Sequence, residues 1–194
     1  MPRIMKRKTP YPQPQSFNGH EMRSKTEARW AYFLTAIGVK WEYEPDFFEV
    51  RPDVFYLPDF YLPDLDCFLE IKPREYLPTR QSPTSDLCRI TGKVVFTAYG
   101  SPKHIDPLSA VLHQADEFMG SQGLIPSFPP NGDGSDSQDW FAGCSSCGKI
   151  RISSGGRRDL VECDCGINTF DAPSLRKSIT MAAESAENQF RDKP

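Results

Sequence analysis

Of the 26 Asp and Glu residues in the chain, only Glu70 is followed two residues later by a lysine, in Glu70-Ile71-Lys72. Side chains on a strand alternate between its faces, so Glu70 and Lys72 share one face while Cys67, Leu69 and Ile71 take the other. The apolar face can pack while the charged pair looks into a cleft. The run Leu62-Pro63-Asp64-Leu65-Asp66-Cys67 has turn chemistry, and a hairpin centred between Asp64 and Leu65 sets Asp59 opposite Glu70. Partners in that relation hold their Cβ atoms about 4.5–5.5 Å apart, close enough for two carboxylates to bind one cation. Residues 41–70 carry nine acids against the single base Arg51. Such a run is either a solvated face or a site for a hard divalent cation, whose ligands are carboxylate oxygens and water. Two carboxylates facing each other would repel, and a cation or Lys72 gives the pairing a reason. The dipeptide Pro-Asp occurs four times and so carries no weight alone; Asp64 falls in the predicted turn and is read as structural.

A second group with chemistry is Cys144-Ser-Ser-Cys147-Gly, followed after fifteen residues by Cys163-Asp-Cys165-Gly. Four thiolates in two close pairs, separated by a hairpin's length, resemble a zinc ribbon, in which Zn2+ takes a tetrahedral shell of four cysteines and substitutes for a core too small to fold alone. The second pair is C-x-C where the commoner knuckle is C-x2-C. Residues 149–153 and 159–162 are the predicted strands, with Gly155-Gly156 at their turn. Cys67 and Cys88 are read as core residues. Arg151, Arg157 and Arg158 are candidate phosphate contacts or a solvated turn, and His20, His104 and His113 have no neighbours that give them a role.

These groups need elements to position them. Residues 24–37 predict a helix, with Ala28, Ala31, Leu34 and Ile37 on one face, Ser24 and Glu27 as a capping box and Gly38 at the stop. Strands are predicted at 40–44, 47–50, 54–62 and 67–72, a short helix at 82–91 ending at Gly92, and a strand at 93–99. Asp106-Pro107 marks the start of a further helix, with Leu108, Val111, Leu112, Ala115 and Phe118 in its stripe. Residues 1–15, with Arg3, Lys6, Arg7 and Lys8 among Pro and Gln, read as a disordered arm, either a solvated tail or an arm that contacts phosphate. A first domain then spans 16–119, a Gly, Pro, Ser and Asp linker 120–139, and the cysteine module 140–194. That last segment ends in a helix from about Pro173 with Leu175, Ile179, Ala182, Ala186 and Phe190 three or four apart.

Glu27 on the first helix, Pro58-Asp59, then Glu70-Ile71-Lys72, in the order helix, strand meander, helix, resembles the PD-(D/E)xK nuclease superfamily. Within it the chain is most similar to small phage-type enzymes resembling endonuclease I, the Holliday-junction resolvase, and to the endonuclease subunit of heteromeric transposases. The resemblance covers about 80 residues, 22–99. It implies an α/β fold with a restriction-endonuclease-like αβββαβ core, followed by the four-cysteine zinc-ribbon-like module and the terminal helix. It further implies an Mg2+-dependent (or Mn2+-dependent) nuclease acting on DNA, an endonuclease rather than an exonuclease. Asp59 and Glu70 would bind the metal with the Ile71 carbonyl, Lys72 would position or activate the attacking water, and Glu27 would add a further carboxylate. Phosphodiester hydrolysis needs a nucleophilic water and relief of charge growing on the phosphate, which bound divalent cations can serve, and Lys72 adds fixed positive charge there.

Composition narrows the field. The 194 residues carry 23 Lys and Arg against 26 Asp and Glu, a net charge of −3, so overall charge does not announce a nucleic-acid binder. Residues 72–103 are nonetheless locally basic, at +4, a flank suited to a polyanion. No apolar run approaches the roughly 20 residues a membrane helix needs, and six cysteines without a signal peptide read as metal ligands or reduced thiols. The expectation is a cytoplasmic protein with nucleic acid as partner, acting as a homodimer or in a larger nucleoprotein assembly. Its rivals are a non-catalytic nucleic-acid-binding zinc-ribbon protein and a nuclease subunit active only inside a larger complex.

Overall fold

The computed structural model describes residues 14–72, 83–103, 112–114, 140–153, 163–165 and 173–191. Its chain begins with a hairpin, β1 (Gln15–Phe17) and β2 (His20–Met22), closed by Asn18 and Gly19. Both turn residues have positive φ, +52° and +82°, as a tight two-residue hairpin loop requires. Gln15, expected in the N-terminal arm, pairs instead with Met22; residues 1–13 of that arm lie outside the described residues. The hairpin leads directly into α1 (Lys25–Ala36), capped by Ser24, whose Oγ accepts the Glu27 N–H at 3.1 Å. Gly38, at φ +74°, follows its end. The buried surface of α1 is wider than one stripe: Trp30 and Phe33 join Ala28, Ala31 and Leu34. Fully burying large apolar side chains stabilises by about 1.5–3 kcal/mol each.

The main sheet has the order β3 (Glu42–Tyr43), β6 (Phe60–Leu62), β7 (Cys67–Lys72), β8 (Val94–Tyr99) and β9 (Leu112–Gln114). β6 and β7 are antiparallel with Phe60 opposite Leu69, Tyr61 opposite Phe68 and Leu62 opposite Cys67. That is the register expected from the turn. β7 and β8 run parallel, a pairing that needs a crossover, and α2 (Pro83–Thr91) lies between them in the chain. One face of the sheet, with Phe60, Leu62, Cys67, Leu69, Ile71, Phe96 and Ala98, packs with α1. The other, with Phe68 and Val95, packs with Leu87 and Cys88 of α2 and Val50.

Two expected elements differ. The strand predicted at 54–62 is broken, with β5 (Val54–Tyr56) pairing with β4 (Phe48–Arg51) in a separate hairpin. Pro58 lacks an N–H and restricts Leu57, so one strand cannot run through both pairings. The helix predicted after Asp106-Pro107 is contradicted at Leu112–Gln114, which pairs antiparallel with β8. Without that segment β8 would present an unpaired edge, and satisfying it overrides the helical stripe. The remainder of that helix lies outside the described residues.

The C-terminal half closes on the same core. β10 (Trp140–Gly143) pairs with β11 (Ile150–Ser153), so the hairpin folds around the first cysteine pair. The partner expected for β11, residues 159–162, lies outside the described residues, as do 120–139; the short knuckle at Cys144 puts β10 within reach first. α3 (Pro173–Gln189) buries Ile179, Ala182 and Ala186, with Phe190 beyond its end, in the cluster that holds α1. Phe141 packs on Phe33 at 5.7 Å between ring centroids. Polar ties reinforce the contact: Arg29 Nη2 lies 2.9 Å from Glu187 Oε1, and Ser101 Oγ donates to Glu187 Oε2 at 2.7 Å. The described residues thus form a mixed α/β structure with several small sheets and three α-helices. None of those helices is long and apolar enough to cross a membrane.

Candidate functional site

The register of β6 and β7 carries Asp59, one residue before β6, to Glu70. Both are buried, at 3% and 4% exposure. The Asp59 N–H donates to Glu70 Oε2 at 3.4 Å, and the Ile71 N–H donates to Asp59 Oδ2 at 2.7 Å. Lys72 Nζ is paired with Glu70 Oε1. Alternation along β7 therefore does what its sequence predicts, sending Leu69 and Ile71 into the α1 cluster and keeping Glu70 with Lys72. Thr97, on β8, stands beside Glu70 in register and is also buried.

Glu27 stands one step back. Its Oε2 accepts from the Tyr43 hydroxyl at 2.6 Å and the Arg23 N–H at 3.1 Å, and its Oε1 from the Ser24 hydroxyl at 2.8 Å. This is a variant of the expected capping box, with the N–H of Arg23 in place of that of Ser24. Three donors hold this buried carboxylate, and it reaches Asp59 through Arg23. The Arg23 guanidinium bonds Asp59 Oδ1 at 2.5 Å and forms an ion pair with Glu44 Oε1 at 2.8 Å, with Glu27 Oε2 at 3.9 Å. Sequence reasoning missed Arg23, Tyr43, Glu44 and Tyr56. The signal for Arg23 was local: it is the base immediately before the capping serine, four residues from Glu27. Tyr56 gives no such signal; it enters because the β4–β5 hairpin returns it to the acids.

Crowding sets the electrostatics. Burial first, then the neighbouring Glu70 carboxylate, push the Asp59 pKa from 3.8 up to about 7, while the Ile71 N–H and Arg23 hold it down. Burial, then the charge of Glu70, push the Tyr56 phenol well above its ordinary value, and burial with the Glu27 bond does the same for Tyr43. The site is thus a buried, crowded cluster that favours a proton or a cation on Asp59.

The second site is Cys144, Cys147, Cys163 and Cys165, whose sulfurs all lie within 4.8 Å of one another and could hold a metal ion. Cys144 Sγ is 3.7 Å from Cys165 Sγ, and Cys147 Sγ is 3.5 Å from Cys163 Sγ. A tetrahedron with metal–sulfur bonds of about 2.3 Å has edges of about 3.8 Å, so the spacing fits. The C-x-C pair supplies both its thiols to the cluster. In the first knuckle Cys144 N–H donates to Lys149 O at 2.9 Å, Gly148 N–H to Cys144 O at 2.8 Å, and Gly148 has φ +73°. The N–H of Cys165 holds the Cys163 thiol below its usual pKa. Cys67 and Cys88 are buried as expected, and burial pushes the Cys67 thiol up to about 12.

Of the basic residues expected to face phosphate, several that are described are already engaged, while Lys103 is exposed. Arg151 pairs with Asp164 at 2.7 Å, Arg89 with Asp86 at 3.4 Å, and Lys93 with Asp66; Arg74, Arg80, Arg157 and Arg158 lie outside the described residues. Comparison of the chain with family models, with curated proteins and with solved structures finds no match.

Proposed function

We propose that the chain is a divalent-cation-dependent nuclease that cuts phosphodiester bonds within DNA, built on a restriction-endonuclease-like core and steadied by a structural zinc. The observation that carries this reading is the pairing of two buried carboxylates, Asp59 and Glu70, across the β6–β7 register with Lys72 beside them. Burying two like charges together is costly. The donor set fits a hard cation, and burial, then the Glu70 charge, raise the Asp59 pKa to about 7, a strain that such an ion would relieve.

Asp59 and Glu70, with the Ile71 carbonyl, would hold Mg2+ or Mn2+, which when bound neutralises phosphate charge and makes water acidic enough to attack. Lys72 keeps its ammonium beside Glu70, where it can stabilise charge on a phosphate oxygen and orient the attacking water. Glu27 fixes Arg23 and the start of α1, so its role is to position. The four cysteines would give Zn2+ a closed shell with no open position, which makes it structural. A cytoplasmic setting, and action as a homodimer or within a larger nucleoprotein assembly, belong to the same proposal.

The test is cleavage of labelled linear, single-stranded and four-way-junction DNA by the zinc-loaded chain with Mg2+, Mn2+ or EDTA, beside Glu70→Ala and Lys72→Ala. Metal-dependent cutting that both variants lose is the expected result. One observation favours a non-catalytic nucleic-acid-binding protein or a subunit that needs partners: Arg23 and Lys72 already pair with the two carboxylates, a network that needs no cation. A folded chain that binds DNA and never cuts it would select that reading.

A further inference from the structure

Asp59 has a partner on each carboxylate oxygen. Oδ2 takes the Ile71 N–H at 2.7 Å, a bond fixed by the backbone of β7. Oδ1 takes the Arg23 guanidinium at 2.5 Å, and that side chain is 54% exposed where the Asp59 side chain is 4% exposed. One partner is built into the sheet; the other reaches in from the surface and can leave. Spare lone pairs on Oδ1 do not remove the conflict, because a divalent cation bound at about 2.0–2.1 Å from a carboxylate oxygen would stand against a guanidinium already hydrogen-bonded to that oxygen. Fully ionised, Glu27, Glu44, Asp59 and Glu70 outnumber Arg23 and Lys72 by two charges. With Arg23 withdrawn the excess is three, and the pocket becomes a stronger cation site.

We propose that Arg23 is an exchangeable internal cation: it occupies Asp59 and Glu44 until a nucleic-acid phosphate draws its guanidinium away, so that metal binding and strand binding are coupled. The inference rests on the nuclease reading and extends it to how the site loads. The residue type suits the task. A guanidinium presents several donors in a plane, so different nitrogens can hold Asp59 and Glu44 at once, and the same fork matches a phosphate. Lys72 is not equivalent, since it is the neighbour of Glu70 on one strand and less exposed. Glu44 anchors the Arg23 Nε at 2.8 Å, and its own backbone is tied to the site, because the Glu44 N–H donates to Asp59 O at 2.9 Å. When Arg23 leaves, Glu44 stays as negative charge at the rim of the pocket. Arg23 thus competes with the cation for Asp59, and coupling of this kind is reciprocal between the two ligands.

The experiment reads Mn2+ affinity by the loss of the free-ion electron paramagnetic resonance signal. It uses the zinc-loaded full chain, with and without a phosphorothioate duplex that resists cleavage. The wild type is expected to bind Mn2+ about tenfold tighter when the duplex is present. Arg23→Gln is expected to bind it about tenfold tighter without duplex and to gain little on adding it. Glu44→Gln, which loosens Arg23 without touching Asp59, should move Mn2+ affinity in neither direction by more than a few fold yet reduce the gain from duplex, and it serves where Arg23→Gln does not fold. A duplex-dependent gain that persists in both variants would overturn the proposal. Failure of the nuclease reading has a different signature: no Mn2+ bound by wild type, with or without duplex, overturns both.

Discussion

Asp59 and Glu70 are brought together by the register of a continuous sheet, with apolar residues of β6 and β7 packed behind them. Cys144, Cys147, Cys163 and Cys165 lie on two short loops, and apart from Cys144 their side chains are exposed or half-buried. In the first region the fold itself brings the two carboxylates together and bears the repulsion that entails. In the second, among the described residues, the two knuckles are joined by their sulfurs and by the Arg151–Asp164 ion pair, with no sheet register between them. A cation at the acids should therefore change chemistry and leave the fold alone, while a metal at the thiols should be part of the fold.

The largest expected effect is on the thiol side. Zinc in small structural sites contributes on the order of 10 kcal/mol of binding energy to folding. Cys144→Ser, or a strong zinc chelator, should strip the metal, and because α3 and Phe141 share the α1 core the loss should spread beyond the knuckle. Zinc content, thermal melting and hydrogen exchange of residues 140–153 would register it. Unchanged melting after metal removal would erase the contrast between the two regions.

Next comes Glu70→Gln, the reverse case. Cleavage is expected to fall at least about a thousandfold, roughly 4 kcal/mol of transition-state stabilisation. Melting should hold or rise, since one of two facing carboxylates is gone and Lys72, a quarter exposed, can turn to water. A variant that loses activity only because it unfolds would make the acids structural.

The sequence carried the acidic site further than the rest because its determinants are local and periodic. Alternation along 67–72 assigned the faces, and a turn centred between Asp64 and Leu65 set the hairpin register, so the Asp59–Glu70 pairing was legible without any tertiary knowledge. The cysteine spacing was legible for the same reason. Tyr43, Glu44 and Tyr56 were not, since they arrive on β3, just after it and on β5, and their roles exist only once those elements pack, while the local signal for Arg23 beside the capping serine went unused. Asn18-Gly19 between Phe17 and His20 was a readable hairpin signal that went unused. The strand at Leu112–Gln114 lay beyond local reasoning, because the demand it meets is the open edge of β8.

A smaller effect follows from Asp59 itself. Its pKa is raised from 3.8 to about 7 in the folded chain, so the folded state holds a proton that the unfolded state gives up earlier. The stability this contributes is fully present below the ordinary carboxylate range and is lost as pH rises toward 7. The metal-free chain should therefore melt lower at pH 7.5 than at pH 4.5 from this group, by at most a few kcal/mol, and Asp59→Asn should flatten the difference. Cation binding needs the ionised carboxylate, so Mn2+ affinity should rise across the same window. A pH-independent affinity between about 5.5 and 8, the range that brackets this titration, would mean that Asp59 is not a ligand.

The smallest effect tests how firmly the two regions are joined. Gly143 ends β10 beside the first cysteine, and a Cβ built there would stand 2.5 Å from Leu175 Cβ of α3, which no pair of real side chains tolerates. Gly143→Ala must push β10 and α3 apart, a misfit worth about 1–3 kcal/mol. Trimming the opposing side chain should restore part of it, so Gly143→Ala with Leu175→Ala is expected to melt higher than the two single losses added together predict. Cleavage by the proposed acidic site should be untouched in the single variant, because neither Gly143 nor Leu175 is among the residues of the core that α1 and the β6–β7 pair share with α3. If cleavage or Mn2+ affinity instead falls with the melting temperature, the path from the thiols through α3 to α1 reaches the carboxylates, and the two regions are one energetic unit.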